Sequence, residues 1–208
     1  MIMVTRPKNE FRFRFRAVFR INRPITGKLR RMEKITFQKP VILCVGTVNV
    51  SGDSVGPKVG DNLLSLGVNA YVYGKSSRPV NGINYERYVE FIKIHHPNSV
   101  VIAVDACLGK KTDVGKVKYS LSGLRAGAAL KKDLTKFGDL TVLCVVAEKS
   151  EDNLRSLLLA EKAFIDDLAE KTAAKIYTLV KDLRLNYADR HKLNTTVGEK
   201  TFVRQPSL

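Results

Sequence analysis

Three short apolar runs constrain this chain more than anything else in it: Val41-Ile42-Leu43-Cys44-Val45-Gly46, Val100-Val101-Ile102-Ala103-Val104 and Leu140 to Ala147. Each is β-branched, almost free of polar interruption, and far shorter than the ~20 residues needed to span a bilayer. A strand with one wet face alternates apolar with polar residues, whereas a continuous run belongs to a strand buried on both faces. Such strands need helices above and below them. The chain supplies the helices between the runs. Val59, Leu63, Leu64 and Leu66 predict one after Pro57, closed by Gly67, and Tyr85, Tyr88, Val89 and Ile92 predict a second ending before Pro97. Further strands are predicted over 69–74 and 114–120, and a long helix from about Glu151 through Leu179. The fold class expected is therefore α/β, a three-layer, mostly parallel sheet with helices on both faces, of the phosphorylase/hydrolase-like kind.

Charge divides the chain. Residues 1–40 hold 12 Lys or Arg against Glu10 and Glu33, a net +10 of the total +16, while the remainder carries 24 basic and 18 acidic side chains, a net +6. The expected organisation is a basic, poorly ordered arm over 1–39, an α/β domain over 40–182 and a polar, basic tail over 183–208. In the arm, Phe11-Arg12-Phe13-Arg14-Phe15-Arg16 alternates with a period of two and lacks the continuous apolar stretch of a secretory signal. Three readings stay open for it: a plain extension, a transit segment, or a surface making weak contact with nucleic acid or an anionic surface. Cys44, Cys107 and Cys144 sit in or beside apolar runs with no Cys-x-x-Cys spacing, as expected of free buried thiols in a reducing compartment.

Ligands of open α/β sheets bind beyond the carboxyl ends of the strands. Asp53 follows the first run in a loop, and Asp105 is expected as the last residue of the third strand or its continuation. If those strands are neighbours, the two carboxylates share one crevice, and like charges held together split their titrations into one base and one acid. Plain alternatives are a helix N-cap for Asp53 and a backbone anchor for Asp105. No nucleotide cofactor is expected, because Gly46, Gly52 and Gly56 do not make Gly-x-Gly-x-x-Gly and no Gly-Lys-Ser or Gly-Lys-Thr loop exists.

Residues 44–60, Cys-Val-Gly-Thr-Val-Asn-Val-Ser-Gly-Asp-Ser-Val-Gly-Pro-Lys-Val-Gly, together with Val101-Ile102-Ala103-Val104-Asp105-Ala106-Cys107-Leu108-Gly109, resemble the YyaC family of sporulation proteins. Val72-Tyr73-Gly74 with Pro79-Val80, and Gly138-Asp139, extend the resemblance over about residues 40–178. That family is related to the spore germination protease and shares the fold of the hydrogenase maturation endopeptidases. The resemblance implies a cytoplasmic, sporulation-associated endopeptidase acting on a protein or peptide, with Asp53 and Asp105 catalytic. Asn49, Ser54, Gly109 and Gly127 are the expected substrate-binding positions. A catalytically silent binding protein is the alternative. The segment Leu124-Arg125-Ala126-Gly127-Ala128-Ala129-Leu130-Lys131 is similar to a Pro-Gly-x-Gly loop of the relatives but has Ala126 and Ala129 at its Pro and second Gly positions. The metal-binding relatives use a histidine in a later loop that has no match here, and His95 and His96 end a helix elsewhere, so no metal is expected.

Overall fold

The computed structural model describes residues 38–124 and 135–198, the last 16 of these by their backbone course alone. Its strands are β1 (Val41–Cys44), β2 (Tyr71–Tyr73), β3 (Val101–Gly109), β4 (Val117–Ser120) and β5 (Leu140–Glu148). The helices are α1 (Val55–Ser65), α2 (Tyr85–His95), α3 (Asn153–Leu158) and α4 (Lys162–Gly198), with 3-10 turns at Gly52–Ser54 and Lys111–Asp113. The expected basic arm and Gly127 lie outside the described residues.

The five strands form one sheet in the order β2-β1-β3-β5-β4. Every pairing is parallel except β4 with β5. From β1 the chain crosses through α1 to β2 on one side, then returns through α2 over β1 to place β3 on the other. Right-handed crossovers in opposite directions put their helices on opposite faces. The strand order therefore reverses between β1 and β3.

Alternation along the strands separates two cores. Ile42, Cys44, Ile102, Val104, Val142 and Cys144 pack with Val55, Val59 and Leu63 of α1 and with Ile165, Ala169 and Ile176 of α4. On the other face, Val41, Leu43, Val101 and Ala103 pack with Tyr85, Val89 and Ile92 of α2. Burial of each such side chain stabilises the fold by about 1.5–3 kcal/mol, so the two faces are held by comparable kinds of contact. Continuous apolar runs are what this arrangement requires, as the sequence predicts.

The differences from expectation have local causes. Leu64 and Leu66 stand about half exposed, because the buried face of α1 is built from Val55, Val59 and Leu63 together with Gly56 and Gly60. A Cβ at Gly56 would collide with the carbonyl oxygen of Val45, and one at Gly60 would crowd the carbonyl of Gly74. The two glycines let α1 lie directly on the strand ends. β3 runs on past Asp105 to Gly109, because β5 continues to pair with it after β1 has ended. β4 starts at Val117 rather than 114, since the 3-10 turn and Gly115, at φ 84°, occupy the approach. The helix expected from Glu151 is broken at 159–161 into α3 and α4, and the backbone of α4 continues to Gly198, into the stretch expected as a tail.

Candidate active site

β1 ends at Cys44, whose partner in β3 is Val104. Asp105 is the next residue of β3 and has only β5 beside it in the sheet. The loop that leaves β1 turns at Gly46, which has φ 147° and donates its amide to the carbonyl of Val80 over 2.8 Å. A side chain at Gly46 would meet the carbonyl of Asp53, so the loop closes over this glycine. The 3-10 turn carrying Asp53 is thereby packed against β3.

Three hydrogen bonds fix the loop. The Thr47 amide donates to Oδ2 of Asp53 over 2.8 Å. The Ser54 hydroxyl donates to the carbonyl of Ser51 over 2.6 Å, and the Ser51 hydroxyl to the carbonyl of Ala160 in the break between α3 and α4 over 2.6 Å. Leu157 of α3 lies on Gly52. The break in the helical pattern thus braces this loop from the far side.

Asp53 does not cap α1: the N-cap position is Ser54, and no side chain there accepts a capping bond. Its carboxylate is spent on Thr47 instead. Asp105 is buried, at 8% exposure, and the single hydrogen bond to its carboxyl group among the described residues comes from the Ala106 amide to Oδ1, at 2.9 Å. Burial drives the Asp105 carboxyl well above the usual range, the Asp53 charge adds to the rise, and the Ala106 amide opposes it. Asp53 is also raised by burial, offset by the Thr47 amide. The electrostatic influence of one on the other reflects their shared place at the reversal of strand order, where such sheets bind ligands.

The other expected site residues are placed as follows. Asn49 is exposed on the same loop, its amide 3.4 Å from the Thr47 hydroxyl. Ser54 is buried at 4% exposure with its hydroxyl engaged within the loop, and so serves as a brace. Gly109 ends β3 four residues past Asp105, about 13 Å along the strand at ~3.3 Å per residue, and accepts the Lys149 amide over 2.8 Å. The structure does not bring it to the two carboxylates. His95 and His96 lie at the opposite end of the sheet, where His96 packs on Tyr71, the first residue of β2. Among the described residues no group of three His, Cys, Asp or Glu side chains is placed to hold a metal ion.

Periodicity places Tyr85 on the buried face of α2 but does not reveal its electrostatic link to Asp105. Fully buried at the start of α2, Tyr85 donates its hydroxyl to the carbonyl of Thr135 over 3.1 Å. Its phenol is raised by burial first, and the charges of Glu86 and Asp105 add to the rise. A phenol in the helix stripe was the available signal, since a buried Tyr needs a partner for its hydroxyl.

Among the described residues no helix is long and apolar enough to cross a membrane. A solved structure of the [NiFe] hydrogenase maturation protease HycI from Thermococcus kodakarensis KOD1 is 18% identical, covers 72% of this chain and 98% of its own, and superposes with a TM-score of 0.48. The [NiFe] hydrogenase maturation protease HybD from Thermococcus kodakarensis is 17% identical over 65% of this chain and 99% of its own, with a TM-score of 0.34. Similarity at that level says nothing about activity. A curated relative, the uncharacterized protein YyaC of Bacillus subtilis strain 168, is 40% identical over 107 residues. That alignment takes in 51% of this chain and 52% of the relative, so the chain spans about half the length of the protein it matches. The model of the family described as a protein of unknown function, DUF1256, matches residues 16–174, which include both aspartates and every strand of the sheet. The YyaC resemblance is thus matched over the 107 aligned residues, and the chain belongs to the DUF1256 family.

Proposed function

We propose that the protein is an aspartate-dependent endopeptidase of the germination-protease type, working on a protein or peptide in the cytoplasm of a sporulating cell. The supporting observation is a single one: at the β1/β3 reversal the charge of Asp53 reaches the buried carboxyl of Asp105, and the two stand in environments of different burial. Asp105, buried and facing the Asp53 charge, keeps its proton to higher pH, whereas the Thr47 amide favours the ionised form of Asp53. Pairs of acids separated in this way divide into a base and an acid. Asp53 takes the proton from an attacking water, and the Asp105 carboxyl gives its proton to the amine that leaves as the peptide bond breaks. Asn49, exposed beside Asp53, contacts the substrate backbone in this scheme. The sporulation setting rests on the sequence resemblance.

A binding protein that does not cut is the second reading, favoured by Ala126 and Ala129 at positions where the resembling loop carries Pro and Gly. Extracts of sporulating and germinating cells, incubated with wild type, Asp53→Asn and Asp105→Asn proteins, decide between the two. Peptide release is expected to fall by roughly 100-fold or more in each variant, the usual contribution of a positioned acid or base. Equal release from all three proteins excludes the catalytic reading.

A further inference from the structure

A pocket whose lining includes neither aspartate lies at the outer edge of the sheet, between the end of β2 and α2. It measures about 490 Å³ and is lined by three cations, Lys75, Arg78 and Arg87, and three aromatic rings, Tyr73, Tyr88 and Phe91. Small-molecule sites run from roughly 300 to 1,000 Å³, so this one is too large for a bare inorganic anion and suits an anion with a body attached.

No Asp or Glu lines the pocket. Among the described residues, none of Lys75, Arg78 and Arg87 takes part in an ion pair, and all three are exposed. Of the acids next to it in sequence or on α1, Asp61 accepts the Ser76 amide and Glu86 the Thr135 amide. A tight turn in which the Arg78 amide donates to the Lys75 carbonyl over 2.9 Å presents two of the cations together. Arg87 approaches from α2. Guanidinium groups held without a carboxylate partner are suited to bidentate phosphate recognition.

The rings form a wall rather than a core. Tyr73 is set edge-on to Phe91, with centroids 5.7 Å apart, and tilted to Tyr88 at 6.0 Å. The Tyr73 hydroxyl is 2.7 Å from Nε2 of His96, which fixes the ring from behind. Phe91 stacks one face on the His95 ring, with centroids 4.1 Å apart, and is still 40% exposed. Partly exposed aromatic rings beside cations are the elements that stack a planar base and hold its phosphate.

We propose that this pocket binds a phosphorylated aromatic small molecule of mononucleotide size, its ring against Tyr73, Tyr88 and Phe91 and its phosphate on Lys75, Arg78 and Arg87. The site is separate from the aspartate pair and does not depend on peptidase activity.

Titration calorimetry with adenosine 5′-monophosphate, adenosine and inorganic phosphate tests this on the full chain. Because the chain contains seven Tyr and no Trp, tyrosine emission gives a second readout of ring contact. The nucleotide is expected to bind with a Kd of roughly 1 mM or tighter, at least ~10-fold tighter than either fragment, and to lose affinity with added salt. The exposed pair Arg78→Ala/Arg87→Ala is expected to weaken it by roughly 10-fold or more, and Tyr88→Leu to reduce the emission change. The charge-matched pair Lys110→Ala/Lys149→Ala is expected to leave it unchanged. The proposal is overturned by absence of heat and emission change at high nucleotide concentration, by phosphate alone binding as tightly as the nucleotide, or by equal losses in the two double variants.

Discussion

The amide of Thr47 donates to Oδ2 of Asp53 across six residues of loop, at 2.8 Å. The Ala106 amide donates in the same way to Oδ1 of Asp105, so each carboxylate of the site has one backbone donor that favours its charged form. What separates the two is burial: both are raised by it, but Asp105 is the more deeply buried and also feels the like charge of Asp53, so it is the one driven well above the usual range. The Thr47 bond restrains the rise at Asp53, and the deeper burial of Asp105 assigns it the proton.

A buried acid with a raised titration point makes stability depend on pH. The native state of Asp105 holds its proton to higher pH than the unfolded chain does, so its contribution is fully present below the unfolded value near ~3.9. It is lost as pH rises through the native value. Asp113, at the surface and held down to about 2 by Lys118 and Lys116, acts in the opposite sense and loses its contribution on acidification. Comparing wild type with Asp105→Asn cancels that background. The variant is expected to gain on the order of 1 kcal/mol over wild type at neutral pH, about 2–4 °C in Tm for a chain of this size. The gap should shrink toward zero near pH 4. A gap that stays constant across thermal melts from pH 4 to 8 contradicts a buried, titrating Asp105.

Gly46 and Gly67 both have positive φ, 147° and 64°, but they differ in surroundings. A Cβ at Gly67 meets nothing, whereas one at Gly46 meets the carbonyl of Asp53 and the ring of Pro57. Gly67→Ala is expected to cost about 1–2 kcal/mol, the left-handed penalty alone. Gly46→Ala should cost roughly 2–4 kcal/mol, strain plus collision. Urea unfolding of the two variants measures the difference, and equal losses would show that the loop does not close on Gly46.

Tyr85→Phe keeps the ring in the α2 core and removes only the hydroxyl that reaches Thr135. A loss of about 0.5–1.5 kcal/mol is expected in chemical denaturation, the net value of one neutral hydrogen bond. Unchanged stability would mean that the segment after residue 134 is not tied to α2 in solution.

The three thiols should be poor nucleophiles. Cys107 is pushed up to about 11 and Cys144 to about 12, in both cases chiefly by burial, and Cys44, fully buried, higher still. At pH 8 the native protein is expected to react with a disulfide reagent at Cys107 alone, roughly 100-fold slower than a free cysteine, because the thiolate is the reactive form. Denaturation should release all three. Rapid native labelling of two or more thiols contradicts the buried positions.

The sequence by itself determined the layers. The runs at 41–46, 100–104 and 140–147 could satisfy their apolar side chains only inside a sheet covered on both faces, and Tyr85, Val89 and Ile92 placed the buried stripe of α2 correctly. These are local patterns, set by the two periodicities of strand and helix. Asp53 and Asp105 were readable as residues near strand ends, and as a pair only on the condition that their strands are neighbours. That relation depends on β1 lying beside β3, on β1 ending one rung before Asp105, and on the Thr47 amide reaching Asp53. The bracing of the loop by Ala160, the recruitment of Tyr85, and the gathering of Lys75, Arg78 and Arg87 beside three rings likewise join residues distant in sequence. Strand order and electrostatic environment arise from contacts between segments, so only the tertiary structure decided which charges are buried, which are paired, and which face an open pocket.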